Sequence, residues 1–245
     1  MEHDPDFLVE SIPNDLRGAR QRGSRDILLP PIAPLLLTAV GTYICYAAAG
    51  LSLGLFLGGI LWGGVLSGTF IAAEKTWLGR WAAGIGAVHG IAGVWLFASI
   101  KGNFPLGLWW LSYLSLTATV FAIGGIISLL RRMRCGPIGS GAIVTVVALA
   151  WLLWPIWLSP ALHGERGDRI VSILVPANPM FAVNAILRER LGYWVEQSIA
   201  YHYTSLSDDV SYSLPHSVWW CVGWHGATGV ITSLLSWRRG SSRGA

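Results

Sequence analysis

Residues 27–73 read ILLPPIAPLLLTAVGTYICYAAAGLSLGLFLGGILWGGVLSGTFIAA, and this stretch decides the class of the fold. No charged residue occurs between Asp26 and Glu74. About 20 apolar residues are enough for one helix to cross a bilayer, so this stretch is long enough for two passes. The whole chain is 53% hydrophobic and 12% charged, against roughly 25% charged residues in a soluble domain. The sequence therefore predicts a membrane protein.

Six apolar segments can be read along the chain: 31–50, 52–73, 82–100, 106–129, 138–158 and 218–237. We expect an all-α, polytopic membrane bundle of about six transmembrane helices with a long outer loop. The predicted parts are an N-terminal tail (1–29), transmembrane helices 1 to 5 (30–158), an outer-side loop domain (159–217), transmembrane helix 6 (218–237) and a C-terminal tail (238–245).

The basic residues predict the orientation of the bundle. They cluster on one side of the six segments, at Arg17, Arg20, Arg22, Arg25, Lys75, Arg80, Arg131, Arg132, Arg134, Arg238, Arg239 and Arg243. The two short loops on the opposite side contain only Lys101. Because cytoplasmic loops carry an excess of Lys and Arg, both termini are predicted to be cytoplasmic in a bacterial-type inner membrane. The net charge of +4 thus reflects the basic residues that set the orientation in the membrane, and it does not indicate a nucleic-acid partner.

The long outer loop contains an apolar stretch that is too short and too interrupted to be a further span. The segment Ile170 to Leu187 is broken by Pro176 and Pro179. Proline removes a backbone donor and breaks a helix. Short helices of this kind are compatible with a membrane only as re-entrant or interfacial elements. We therefore predict that this segment does not cross the bilayer.

The second apolar segment is rich in glycine at intervals of four residues. Small residues at this spacing let another helix approach closely, which favours helix association in lipid. The pattern is compatible with packing inside one bundle or with a seam between two subunits. The glycines concerned are Gly50, Gly54, Gly58, Gly59, Gly63, Gly64 and Gly68.

Candidate chemistry is sparse. His89 and His225 lie within apolar segments and are weak candidates for haem ligands, although hydrogen bonding between helices also accounts for them. Histidines and aspartates of the outer loop match no spacing of a metal or catalytic site, and the three cysteines are isolated. We expect neither a catalytic site nor a metal or other cofactor.

No helix is predicted to carry a charged residue at mid-depth. Ion-coupled carriers usually keep such a residue, because it is costly in lipid and retained for function. Any transport by this chain is therefore expected to draw its energy from elsewhere.

This layout resembles the six-helix permease of type 2 ABC exporters. The residues that carry the resemblance are the cytoplasmic loop IAAEKTWLGRW (71–81), the segment SPALHGERGDRIVSILVPANPMFAVNAIL (159–187) and its Asn178–Pro179 followed by apolar residues. The cytoplasmic loop is shorter than in that family, and the outer segment 191–217 is longer. The resemblance implies a separate cytoplasmic ATPase that contacts Glu74, Lys75, Trp77 and Arg80, and a second permease or complex subunit.

Three functions remain open from the sequence. The chain is a permease subunit of an ATP-driven exporter, a structural or accessory subunit of a larger membrane complex, or a haem-binding redox protein. The lipid bilayer is its surroundings in all three.

Overall fold

The fold is all-helical, as predicted. The computed structural model describes residues 14–49, 55–162, 164–191 and 214–241, and these ranges contain no strand. The helices are α1 (Asn14–Ala49), α2 (Gly58–Ala73), α3 (Trp77–Lys101), α4 (Leu106–Arg132), α5 (Pro137–Leu152), α6 (Trp154–Leu158), α7 (Gly164–Ala177), α8 (Pro179–Leu191) and α9 (Trp219–Ser241).

Four helical segments are long and apolar enough to cross a membrane: Pro31–Ala48, Leu55–Ala73, Trp77–Lys101 and Leu106–Arg132. Several helices that could each span a bilayer are what a multi-pass membrane protein requires. The bent pair α7 and α8 raises the number to five if it is a single broken span. Helix α9 is not among the four, and α5 is apolar but shorter. The count of six spans stays a prediction.

Proline explains why α5 is shorter than the predicted segment 138–158. A helix of 16 residues is about 24 Å long, less than the roughly 30 Å of a bilayer core. Pro155 has no N–H to donate to the carbonyl of Trp151, and its ring crowds that carbonyl. The helix accordingly ends at Leu152, and the short α6 follows.

Helix α2 lies at the centre of the bundle and contacts α1, α3, α4 and α5. Its glycines allow this. An ideal Cβ built on Gly59 would lie 2.7 Å from the ring of Trp95 in α3, and one on Gly64 would lie 2.7 Å from Leu152 in α5. Leu116 of α4 likewise leaves no room for a Cβ on Gly63. These glycines therefore pack within the bundle, and Gly50 and Gly54 lie outside the described residues.

Trp95 fixes α3 against the π-helical turn (55–57) that immediately precedes α2. The side chain is fully buried and stacks on Phe56, with ring centroids 5.3 Å apart. Its indole N–H donates to the carbonyl of Leu55 at 2.8 Å. Leu55 opens a single π-helical turn, so a buried tryptophan stabilises an irregular backbone that lipid would leave unpaired.

Helices α1 and α3 run in the same direction and approach closely. Gly86 lies against the carbonyl of Pro31, and Gly90 lies against the carbonyl of Leu35. Since both residue numbers rise by four, the two helices begin at the same end of the bundle. The α2–α3 loop (Glu74–Thr76) and the last turns of α4 and α9 share that end, because their side chains line one cavity.

Candidate functional site

A cavity of about 840 Å³ lies where the α2–α3 loop, the beginning of α3 and the last turns of α4 and α9 meet. We call it the basic cavity. Within the described part of the chain, no acidic side chain lines it. Four basic side chains do: Lys75, Arg80, Arg131 and Arg132. A cavity lined by one sign of charge attracts counter-ions, here anions.

Polar atoms in the wall of the basic cavity lack partners. Nε of Arg80, Nε of Arg132 and Oγ of Ser233 are shielded from solvent and have no hydrogen-bond partner among the residues that the structure describes. Buried polar groups are nearly always paired, and an unpaired one is costly. Arg131 also lies near enough to Arg80 for the two positive charges to repel each other. The described wall is therefore polar and positively charged, and it contains no acidic side chain.

Three indole rings also line the basic cavity. Trp77 is 64% exposed and meets Trp81 edge-on, with ring centroids 6.0 Å apart. Trp81 in turn packs against Phe121 of α4 at 5.3 Å, and Trp237 of α9 stands on the far side. Tryptophan favours the depth of lipid headgroups, where its ring is in apolar surroundings and its N–H is in polar ones. Indole rings in this position are typical of residues at the level of a membrane interface.

The α2–α3 loop is a tight turn whose side chains cap the N-terminus of α3. Thr76 is the N-cap of α3, and its hydroxyl accepts a hydrogen bond from the N–H of Gly79 at 2.9 Å. The carboxylate of Glu74 also lies against Gly79, where an ideal Cβ would come within 2.6 Å of Oε2. A carboxylate at a helix N-terminus is favourable. The loop consequently holds α2 and α3 together as one hairpin.

The residues predicted to contact a partner fall into two groups. Lys75, Trp77 and Arg80 line the basic cavity. Glu74 lies beside it, over the first turn of α3, and is not part of the lining. Sequence reasoning missed the other wall, because Arg131 and Arg132 were interpreted as topological only. Their position at the same end as the α2–α3 loop was the available signal.

The bent pair α7 and α8 forms the second distinctive feature. The two helices meet at 75° around Asn178. Asn178 is fully buried, and its amide N–H donates to the carbonyl of Trp151 at 2.6 Å. This is the carbonyl that Pro155 leaves without its helical donor. The side-chain oxygen of Asn178 accepts from the N–H of Met180 at 2.8 Å and so caps α8.

The bent pair also packs into the bundle. Helix α8 contacts α4, and α7 contacts α9. Residues of α8 including Val183 and Leu187 are fully buried. The dipeptide Asn178–Pro179 therefore marks a structural junction between α5, α7 and α8.

The two candidate haem ligands line separate cavities. His225 lies beside α5, and its Nε2 accepts from the indole N–H of Trp151 at 3.2 Å. Its Nδ1 lies 2.9 Å from the carbonyl of Cys221, so both ring nitrogens are engaged. His89 lines a different cavity with Tyr113, and its Nδ1 lies 2.8 Å from the carbonyl of Ile85. The structure does not bring the two rings together.

No cluster of three or more metal-ligating side chains occurs among the residues that the structure describes. His216 is exposed. The other outer-loop candidates, His163, His202, Asp208 and Asp209, lie outside the described ranges. The chain matches no protein-family model, and neither the curated proteins nor the solved structures gave a match.

Proposed function

We propose that this chain is the membrane-embedded permease subunit of an ATP-driven exporter, working with a separate ATPase and a second permease subunit. The observation that carries the proposal is the bent helix pair between α5 and α9. The resemblance to type 2 ABC exporter permeases implies short re-entrant helices at this point of the chain. A 75° bend fastened by Asn178 to the end of α5 fits that expectation.

The proposed topology has six spans, with α5 and α9 as the fifth and sixth, and both termini in the cytoplasm of a bacterial-type inner membrane. The distribution of Lys and Arg supports this orientation. It is also supported by the shared direction of α1 and α3, since the basic N-terminal region and the α2–α3 loop then belong to one side. Helices α7 and α8 enter from the outer side without crossing.

The energy for transport comes from the partner. Between their terminal turns, the membrane segments of α1 to α5 and α9 contain no charged residue. Ion-driven carriers usually keep a charged residue at mid-depth. The lack of Asp, Glu, Lys and Arg there therefore favours an energy source other than an ion gradient. ATP hydrolysis on a second chain supplies the alternative.

The α2–α3 hairpin is the element through which the ATPase acts. Segment Glu74 to Arg80 docks on the ATPase, with Trp77 as the exposed aromatic anchor and Glu74 and Lys75 as polar contacts. Buried aromatic anchors dominate interface energies, at about 2 kcal/mol or more each. The cap at Thr76 and the bond from Trp95 to Leu55 stiffen the hairpin. Closure of the ATPase then moves it as a lever, and α1, α2 and α5 line the path between two permease subunits.

Affinity purification from native membranes tests the proposal. The unaltered protein should retain a nucleotide-binding subunit, and the triple variant Glu74→Ala, Lys75→Ala, Trp77→Ala should lose it. The matched control is Lys101→Ala with Trp219→Ala, which removes an exposed cation and an exposed indole from the other end of the bundle. If the native protein retains no such subunit, or the triple variant retains it fully, the role is that of an accessory subunit.

Topology has its own test. Reporter fusions after Trp237 should report a cytoplasmic location, and fusions near Gly164 an external one. Cysteines placed at Ala177 and Ala185 should be labelled only from outside. Cytoplasmic labelling of either cysteine would make α7 and α8 a broken span.

A further inference from the structure

We propose that the basic cavity is a binding site for a phosphate-bearing anionic ligand, seated between Arg80, Arg131 and Arg132 and the hydroxyl of Ser233. The site follows from the geometry of the cavity and does not depend on whether the chain transports anything. It shares Arg80 with the ATPase contact but extends beyond it, because two of its arginines and its serine come from α4 and α9.

The chemistry of the wall selects phosphate. Guanidinium groups present planar arrays of donors that match phosphate oxygens and remain charged at any physiological pH. Arg80 and Arg132 each have a shielded Nε–H without a partner, and these two arginines come from different helices. A phosphate between them would accept from both donors, and it would offset the repulsion between Arg80 and Arg131.

Ser233 adds a third element of the bundle to the site. Its hydroxyl is shielded from solvent, has no partner, and belongs to α9. A hydroxyl donates to an anionic oxygen as readily as it accepts. Three unpartnered polar groups from α3, α4 and α9 thus line one cavity, which single-helix capping or surface charge does not explain.

The size and depth of the site suit a lipid headgroup. A volume of about 840 Å³ lies within the range of about 300–1,000 Å³ typical of ligand pockets. Trp77 and Trp237 in its lining are residues typical of the headgroup level of a membrane. Basic pockets between transmembrane helices are a recognised mode of binding for anionic lipid headgroups. The partial negative charge at the C-terminal ends of α4 and α9 opposes an anion, but four full positive charges outweigh it.

Native mass spectrometry of the purified full-length protein tests the site with defined lipids. Phosphatidylglycerol and phosphatidylcholine with identical acyl chains are added separately, and bound copies are counted. The unaltered protein should retain phosphatidylglycerol preferentially. Millimolar inorganic phosphate, added as a competitor, distinguishes the source of the ligand: displacement of the lipid assigns the site to free phosphate, and persistence assigns it to the lipid headgroup.

Two variants tie the binding to this cavity. The double variant Arg131→Gln, Arg132→Gln should lower the affinity for phosphatidylglycerol about tenfold or more, since hydrogen bonds to charged groups are the strong ones. Its matched control is Arg134→Gln with Arg169→Gln, which removes two exposed arginines outside the lining. Ser233→Ala should weaken binding about threefold or more, and its thermal stability without lipid should not fall, because the hydroxyl has no partner to lose.

Equal retention of the two lipids by the unaltered protein would overturn the proposal. So would retention of phosphatidylglycerol by the Arg131, Arg132 variant at the level of the Arg134, Arg169 control. These outcomes are separable from failure of the exporter proposal, which is decided by capture of an ATPase through Glu74, Lys75 and Trp77.

Discussion

Replacing Gly90 by alanine should destabilise the protein, because Gly90 lies where α1 and α3 approach most closely. An added Cβ would fall well inside the contact distance of the Leu35 carbonyl oxygen and of the Thr38 hydroxyl. A backbone carbonyl cannot move aside as a flexible side chain can. The two helices would have to separate. Gly93 lies in the same helix but has no atom within 4 Å of an added Cβ, so Gly93→Ala is the matched control.

The size of the effect follows from the contacts that separation would break. The Thr38 hydroxyl lies 3.0 Å from the carbonyl of Ala87 in α3, and a lost hydrogen bond of this kind costs about 0.5–1.5 kcal/mol. Overpacking of a tight interface costs a further 1–3 kcal/mol, roughly. Alanine recovers at most about 1 kcal/mol through its better helix propensity. Gly90→Ala should therefore lower the free energy of unfolding by about 0.5–4.5 kcal/mol.

Unfolding by a graded denaturing detergent, followed by tryptophan fluorescence, measures the difference. Gly93→Ala should be as stable as the unaltered protein or more stable by up to about 1 kcal/mol. Because both variants gain the same helix propensity, the gap between them is the sum of the two costs, about 1.5–4.5 kcal/mol. If Gly90→Ala and Gly93→Ala unfold at the same detergent concentration, α1 and α3 do not pack as described.

Three further changes probe the polar contacts inside the bundle, each measured by the same unfolding assay. Asn178→Ala should cost about 2–4 kcal/mol of unfolding free energy, because it leaves the Trp151 carbonyl unpaired and uncaps α8. Adding Pro155→Ala should restore part of this loss, because residue 155 then donates a backbone N–H to that carbonyl. If stability does not recover, Asn178 does not replace the donor that Pro155 lacks. Trp95→Phe keeps the stacked ring but removes the donor to Leu55, for a loss of about 1–3 kcal/mol. His225→Phe should cost about 1–3 kcal/mol by leaving the Trp151 indole unpaired, and unchanged stability would show that this hydrogen bond contributes nothing.

The helical class and most segment positions were predictable, because the hydrocarbon core imposes length and apolarity on any crossing helix. The segments 82–100 and 106–129 correspond closely to α3 and α4. The end of α5 was predicted too late. Pro155 interrupts the backbone hydrogen bonds of the helix, but the residues up to 158 remain apolar. The apolar pattern alone therefore places the end of the segment too far along the chain.

The candidate site was only half predictable. The α2–α3 loop stands out because it carries charges between two apolar runs. Arg131, Arg132 and Ser233 do not, since basic residues at helix ends are expected from orientation alone. Only the packing of α4 and α9 beside α3 brings their polar groups into one cavity.

The sequence by itself determined that the chain enters a membrane, where its longest helices run, and which ends carry positive charge. Those properties depend on residue type and spacing against a fixed bilayer thickness. The tertiary structure decided which helices are neighbours. Lipid is as apolar as a buried leucine, so apolarity does not distinguish a helix face that contacts lipid from one that contacts protein. The central position of α2, the contact of Gly90 with Leu35, the bend at Asn178 and the basic cavity therefore depend on shape, which emerges only when the helices pack.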